Sequence, residues 1–182
     1  MPQALLLVDI QNDYFPGGPM ELVGSPEAGT RAGVLLQAFR KAGLPVVHIQ
    51  HLATRAGATF FLPGTVGAEF HASVTPLPGE AQLQKHFPNS FRETPLLEHL
   101  RGLGITDLVL AGMMTHMCID TTVRAAADLG FQCRLAGDAC ATRDLVREGV
   151  RVPALQVQTA FLAALDGTFA QVQTVEALCA EL

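Results

Sequence analysis

Apolar residues fall along this chain in runs that do not alternate with polar ones. Ala4-Leu5-Leu6-Leu7-Val8 and Leu108-Val109-Leu110-Ala111 are the clearest. A strand with one wet face alternates, whereas an unbroken run is covered on both faces, as in a parallel sheet. Leu44 to Gln50 reads as a second strand, with Pro45 near its start, where a missing N–H does least harm. Glu80 to Phe87 contains a short third strand, Gln82-Leu83-Gln84-Lys85, residues 105–111 form the fourth, 131–136 the fifth, and Phe169 to Gln173 the sixth. Helical patterns lie between them. Pro26-Glu27 open a helix that runs to about Ala42 and stops at Gly43, and Thr94 caps another whose first residue is Pro95. An Ala-rich helix covers 116–129, a longer one bent near Pro153 covers Asp144 to Leu165, and a short one follows Thr174. The alternation predicts one domain over residues 1–182, a three-layer α/β/α sandwich on a six-stranded, mostly parallel sheet. Only Leu52 to Gly79 breaks it. That stretch is rich in Gly, Pro and aromatic residues, with Phe60, Phe61, Phe70 and His71 inside it, and loops of such length are usually functional or lid-like.

Composition narrows the function classes. At 182 residues and 49% hydrophobic content the chain can bury a sizeable core. The net charge of -5 comes without a Lys/Arg cluster, so no nucleic acid partner is expected. The longest apolar helical piece, Val152 to Leu165, carries Gln156 and Gln158 and falls short of the roughly 20 residues that span a bilayer. The first apolar run lacks a basic leader and ends in Asp9, unlike a signal peptide. Cysteines 118, 133, 140 and 179 form no C-x-x-C pair, which fits a reducing, cytoplasmic setting. Neither a G-x-G-x-x-G turn nor a Walker A loop follows the first strand, and no cofactor is called for.

Candidate chemistry collects at strand ends: Asp9 after the first, Lys85 at the third and Cys118 just past the fourth. Thr115 is a suitable N-cap, which would put Cys118 at the third position of the following helix, where unpaired N–H groups and the helix dipole favour a thiolate. The expected thiol pKa is then well below the ordinary value of about 8.5. Each residue also has an ordinary role: Cys118 as a small buried apolar group, Asp9 as a turn or cap residue, Lys85 as a solvated cation. If the three tips share one crevice, Asp9 can take the thiol proton while Lys85 holds the two negative charges together.

Four segments resemble the isochorismatase-like cysteine hydrolases, a superfamily that includes nicotinamidases and N-carbamoylsarcosine amidases. They are Val8-Asp9-Ile10-Gln11-Asn12-Asp13-Tyr14, the position of Lys85, Gly112 through Arg124, and Asp138-Ala139-Cys140-Ala141-Thr142. The resemblance implies that Cys118 attacks an amide or carbamoyl carbonyl to give a thioester, with Asp9 moving protons and Lys85 completing the triad. It implies an oxyanion site at the backbone N–H groups of Met114 and Cys118, and a cis peptide between Met113 and Met114. Tyr14 and His51 would touch the substrate, a small molecule, and a homo-oligomer, dimer or tetramer, is expected. Nicotinamidases hold a metal through an Asp-x-His pair where this chain has His51 and Ala53, so neither that metal site nor nicotinamide is expected. His48, His51 and His71 read as satisfied or surface histidines rather than ligands. Two other readings stay open: a vinyl-ether hydrolase of the isochorismatase type, which does not need the thiol, and a non-catalytic binding protein that keeps the fold.

Overall fold

The computed structural model of the chain describes residues 2–182. Six strands form one parallel sheet: β1 (Gln3–Val8), β2 (Val46–His51), β3 (Ala81–Lys85), β4 (Asp107–Met113), β5 (Gln132–Ala141) and, after a separate hairpin of β6 (Leu145–Arg147) with β7 (Val150–Val152), β8 (Gln171–Gln173). Their order in the sheet is β3-β2-β1-β4-β5-β8. The chain therefore winds outward from β1 in one direction and from β4 in the other. Open α/β sheets bind ligands at such a reversal, outside the carboxyl ends of the two strands.

Among the described residues five α-helices cover the sheet: α1 (Ser25–Lys41), α2 (Leu96–Gly102), α3 (Asp120–Asp128), α4 (Ala154–Leu165) and α5 (Val175–Ala180). Successive residues of a strand point to opposite faces, and the packing follows that rule. Leu5 and Leu7 join Leu35, Leu36 and Phe39 of α1 and Leu178 of α5 in one core. Ala4, Leu6 and Val8 join Leu100 of α2 and Val123 and Ala126 of α3 in the other. The expected three-layer sandwich is the observed one.

Gly112 makes the central seam possible. It lies beside Val8 with a φ of 141°, and a Cβ there would stand 2.0 Å from the Val8 carbonyl oxygen. Only glycine lets β4 run this close to the end of β1.

The expected long helix from Asp144 is corrected by the structure. Residues 145–152 are an antiparallel hairpin, with Val146 opposite Arg151, and α4 starts only after Pro153. Glu148 and Gly149 both have positive φ, 51° and 80°, the backbone of a tight hairpin turn. Flanking Val146, Val150 and Val152 favour strands. Pro153 begins the helix rather than bending it, and the Asp144 carboxylate accepts the Ala154 N–H at 2.7 Å. β5 also runs five residues beyond its expected end, to Ala141, and pairs with Gly112 and Met113.

Candidate active site

Asp9 follows β1 directly, is fully buried, and has a φ of 54°, outside the extended path of its strand. A left-handed non-glycine residue costs about 1 kcal/mol or more, a cost Asp tolerates better than most. Lys85 comes from β3, two strands away, and its stem crosses the end of β2 to reach β1. The residue is fully buried, and its ammonium lies 2.7 Å from Asp9 Oδ2. It also donates to the Phe87 carbonyl and to His51 Nδ1, each at 3.1 Å.

Cys118 belongs to a wide π-type turn, Thr115–Ile119, that leads from β4 into α3. The residue is 4% exposed, and its sulfur, a carboxylate oxygen of Asp9 and a ring nitrogen of His51 all lie within 4.8 Å of one another. The tips of β1, β3 and β4 thus bring Asp9, Lys85 and Cys118 together at the reversal of the sheet. The peptide between Met113 and Met114 is cis, as the resemblance implied.

Thr115 does not cap the helix. Its hydroxyl donates to Gln158 Oε1 of α4 at 2.6 Å and contacts the Ala141 carbonyl of β5 at 3.2 Å, while Met114 occupies the cap position. Cys118 is the fourth residue of the turn, and helix-end stabilisation of a thiolate is not the dominant force on it. Burial pushes the Cys118 thiol well up and the Asp9 carboxylate adds to that, against the pull of Lys85. The balance favours the neutral thiol, in the direction opposite to the acidic thiolate expected from sequence. Burial works against the Lys85 ammonium, but Asp9 and Cys118 outweigh it and its pKa is raised. A buried ion pair beside a neutral thiol leaves the cluster with no net charge, which is its least costly state away from water.

His51, at the end of β2, is kept neutral by burial, which lowers its pKa. Its Nδ1 accepts from Lys85, which leaves the proton on Nε2. Tyr14 is buried with its ring 4.5 Å from that of Phe61 and 5.9 Å from Phe60, and the Phe61 ring lies 5.8 Å from His51. Burial raises the Tyr14 hydroxyl pKa, and Cys118 and Asp9 contribute, so the phenol stands near the cluster. These aromatic groups form one wall of the site.

The other two histidines considered as ligands, His48 and His71, are engaged elsewhere. His48 Nε2 contacts Glu80 Oε2 at 2.9 Å, and His71 bonds Ser73 at 2.9 Å and stacks on Phe15. Among the described residues the three-donor group that could hold a metal is Asp9, His51 and Cys118. It does not suit one. The Lys85 ammonium already contacts both Asp9 and His51, and a second cation there would meet it directly.

The polar residues that follow Asp9 were not singled out by sequence. Gln11 Nε2 donates to the carbonyls of His51 and Ala68, at 2.9 and 2.8 Å, and its Oε1 accepts the His51 N–H at 2.7 Å. Asn12 Nδ2 donates to the Val66 carbonyl at 2.8 Å, and Asp13 Oδ2 accepts the Phe61 N–H at 2.6 Å. A Cβ on Gly67 would stand 1.9 Å from Asp13 Oδ1. Three consecutive side chains thus clamp the long segment over the site. The available signals were the polar run Gln11-Asn12-Asp13 shortly after an apolar strand and its place in the segment that carries the resemblance.

A parallel α/β sandwich thus gathers thiol, carboxylate and ammonium at its reversal point. The comparison with known proteins places the chain more closely: the Isochorismatase domain family matches residues 3–177, and the chain belongs to that family as an isochorismatase-family hydrolase. It is 50% identical over 177 residues to YddQ, an uncharacterised isochorismatase family protein of Bacillus subtilis (strain 168), covering 97% of this chain and 98% of that one. A streptothricin hydrolase of Streptomyces noursei is 38% identical over 79% of this chain and 51% of its own length. The crystal structure of an isochorismatase-type chain from Oleispira antarctica superposes with a TM-score of 0.95 at 49% identity, covering 98% of this chain and 96% of the other.

Proposed function

We propose that the protein hydrolyses a C–N bond, amide or carbamoyl, in a small molecule through a thioester on Cys118. The observation that carries this is the buried Asp9 carboxylate, paired with the Lys85 ammonium at 2.7 Å and lying with the Cys118 sulfur in one cluster within 4.8 Å. Amidohydrolases among the relatives, a ureidoacrylate amidohydrolase and a nicotinamidase, support the bond type. As sulfur attacks the carbonyl carbon, Asp9 takes the thiol proton, so that no free thiolate need accumulate. Charge moves onto the carbonyl oxygen, which the Met114 and Cys118 N–H groups receive. Collapse breaks the C–N bond, and the departing nitrogen takes the proton from Asp9. Water then attacks the thioester, Asp9 takes its proton, and collapse returns that proton to sulfur and frees the acid. Lys85 stays protonated throughout and holds Asp9 in place. Tyr14, His51 and the two phenylalanines enclose the substrate, and the four free cysteines accord with a reducing, cytoplasmic setting.

In a second reading Asp9 first takes a proton from solvent and then delivers it to the alkene carbon of a vinyl ether, water adding to the resulting cation, and the burial that disfavours a Cys118 thiolate gives that reading its support. A panel of small amides, carbamoyl compounds and a vinyl-ether substrate, assayed for product release with wild type and Cys118→Ala, separates the two. The expected result is ammonia or amine release by wild type that Cys118→Ala abolishes. Undiminished turnover by Cys118→Ala would overturn the thioester reading.

A further inference from the structure

The face that α4 turns toward the sheet is apolar except at one position. Ala154, Val157 and Leu165 are its buried residues, and Gln158 and Phe161 fall on the same face at helical spacing. An amide set among apolar neighbours is costly unless its polar atoms are satisfied. Those of Gln158 are all in use. Its Nε2 donates to the Cys140 carbonyl at 3.1 Å and to the Gly137 carbonyl at 3.3 Å, and its Oε1 accepts the Thr115 hydroxyl at 2.6 Å. Two carbonyls can be met only by the NH2 end of an amide, so its orientation is fixed and Thr115 must be the donor.

Both carbonyls lie where the β4–β5 ladder slips. Leu135 stands opposite Leu110 and Cys140 opposite Gly112, so residues 136–139 of β5 face Ala111 alone. Bulges recur beside active sites, where they redirect the chain. At the other end of the bond, Thr115 is fully buried and opens the turn that carries Cys118. The Met117 and Ile119 N–H groups close that turn on the Met114 carbonyl at 3.0 and 3.2 Å, which shapes it but does not fix its place against the sheet. α4 adds a second grip one helical turn on, where the Phe161 ring stands edge-on to His116 with centroids 6.0 Å apart.

We propose that Gln158 is a positioning residue for the nucleophile, a role that rests on the thioester reading above. Through Thr115 it fixes the turn against the bulge of β5, and so sets where the Cys118 sulfur and the Met114 and Cys118 N–H groups stand relative to Asp9. Asp9 and Lys85 are held by β1 and β3 and by each other. Cys118 hangs on a turn beyond the end of β4, so its place is the one the strands do not determine. Attack on a carbonyl needs sulfur and oxyanion donors set together, and a misplacement of about 1 Å can cost about 100-fold in rate. A purely packing role for Gln158 predicts lower stability with kcat unchanged in the folded molecule.

Thr115→Val removes the hydroxyl, nearly keeps the shape and leaves both bonds from Gln158 to β5, while Thr115→Ser keeps the hydroxyl. Gln158→Met removes all three bonds at similar length and serves if Thr115→Val fails to fold. Kinetics use the amide or carbamoyl compound of the panel that wild type turns over fastest, and hydrogen-exchange mass spectrometry of residues 113–120 needs no substrate. In Thr115→Val and Gln158→Met, both with native circular dichroism, kcat should fall about 10- to 100-fold with KM within about threefold of wild type, and exchange in 113–120 should quicken. Thr115→Ser should stay within about threefold of wild type in kcat, and the Thr115→Val/Gln158→Met double variant should be no slower than Gln158→Met, because both act through one bond. A folded Thr115→Val with wild-type kcat or unchanged exchange, or a loss that Thr115→Ser shares in full, would overturn the positioning role and leave the thioester reading standing. Undiminished turnover by Cys118→Ala would overturn both.

Discussion

Replacing Asp9 with asparagine separates the two jobs of the carboxylate, because it should make Cys118 more acidic while destroying turnover. In the native site burial and the Asp9 charge both hold the thiol neutral, and only Lys85 opposes them. Asparagine keeps the shape, removes the negative charge, and leaves the ammonium without its 2.7 Å partner. Two unit charges at the 4.8 Å limit of this cluster interact by about 3.5 kcal/mol at an effective dielectric of about 20. That is about 2.5 pKa units, at about 1.4 kcal/mol each. The thiolate fraction near neutral pH, and with it the rate of iodoacetamide labelling of Cys118, should rise by about 100-fold or more over wild type at the same pH. Loss of the proton carrier should cut kcat by about 100- to 10,000-fold. Labelling followed by peptide mass spectrometry between pH 6 and 10 reads the first effect, and product release reads the second. A folded Asp9→Asn protein that labels no faster than wild type would show that Asp9 does not control the thiol. Retained turnover would show that it is not the base.

Other perturbations probe the surrounding scaffold. Gly112→Ala forces a Cβ to within 2.0 Å of the Val8 carbonyl at a φ of 141° and should cost more than about 3 kcal/mol in urea unfolding. Asp13→Ala leaves the buried Phe61 N–H without its acceptor, which should cost about 1–3 kcal/mol, and it frees the aromatic wall. KM should therefore rise more than kcat falls, and equal losses in both would argue against a clamp. Glu80 has its carboxyl held down at about 2, from an ordinary 4.5, first by its hydrogen bonds to Arg40 and further by Leu77 N–H and His48. The folded state therefore gains stability above pH 4.5 that is lost as pH falls toward 2, and Glu80→Gln should flatten acid unfolding in that window when followed by circular dichroism.

The sheet was legible because burial on both faces leaves a mark that survives without structure: runs such as Leu5-Leu6-Leu7 and Leu108-Val109-Leu110 have no polar partner face. Asp9, Lys85 and Cys118 were legible as chemistry at strand ends, though their meeting depended on strand order, which no local pattern encodes. Lys85 reaches Asp9 only because β2 is the single strand between β3 and β1. The hairpin at 145–152 was hidden by Pro153, which in sequence marks a bend and in the structure a start. The thiol was misjudged for a different reason. Thr115 has the right identity and spacing for a cap, but its hydroxyl is drawn to Gln158, forty-three residues away, and the field at Cys118 comes from a carboxylate on another strand. Likewise, nothing local shows that Gln11, Asn12 and Asp13 bind carbonyl and N–H groups some forty to sixty residues further on.

The central claim is that a covalent bond forms at Cys118 during turnover. Acid quenching within milliseconds of mixing the enzyme with an active amide from the substrate panel, followed by intact-mass and peptide mass spectrometry, tests it directly. The predicted result is a transient mass increase equal to the acyl group, confined to the Cys118 peptide and missing in Cys118→Ala. Steady turnover by wild type with no adduct at any quench time, together with turnover by Cys118→Ala, would contradict it.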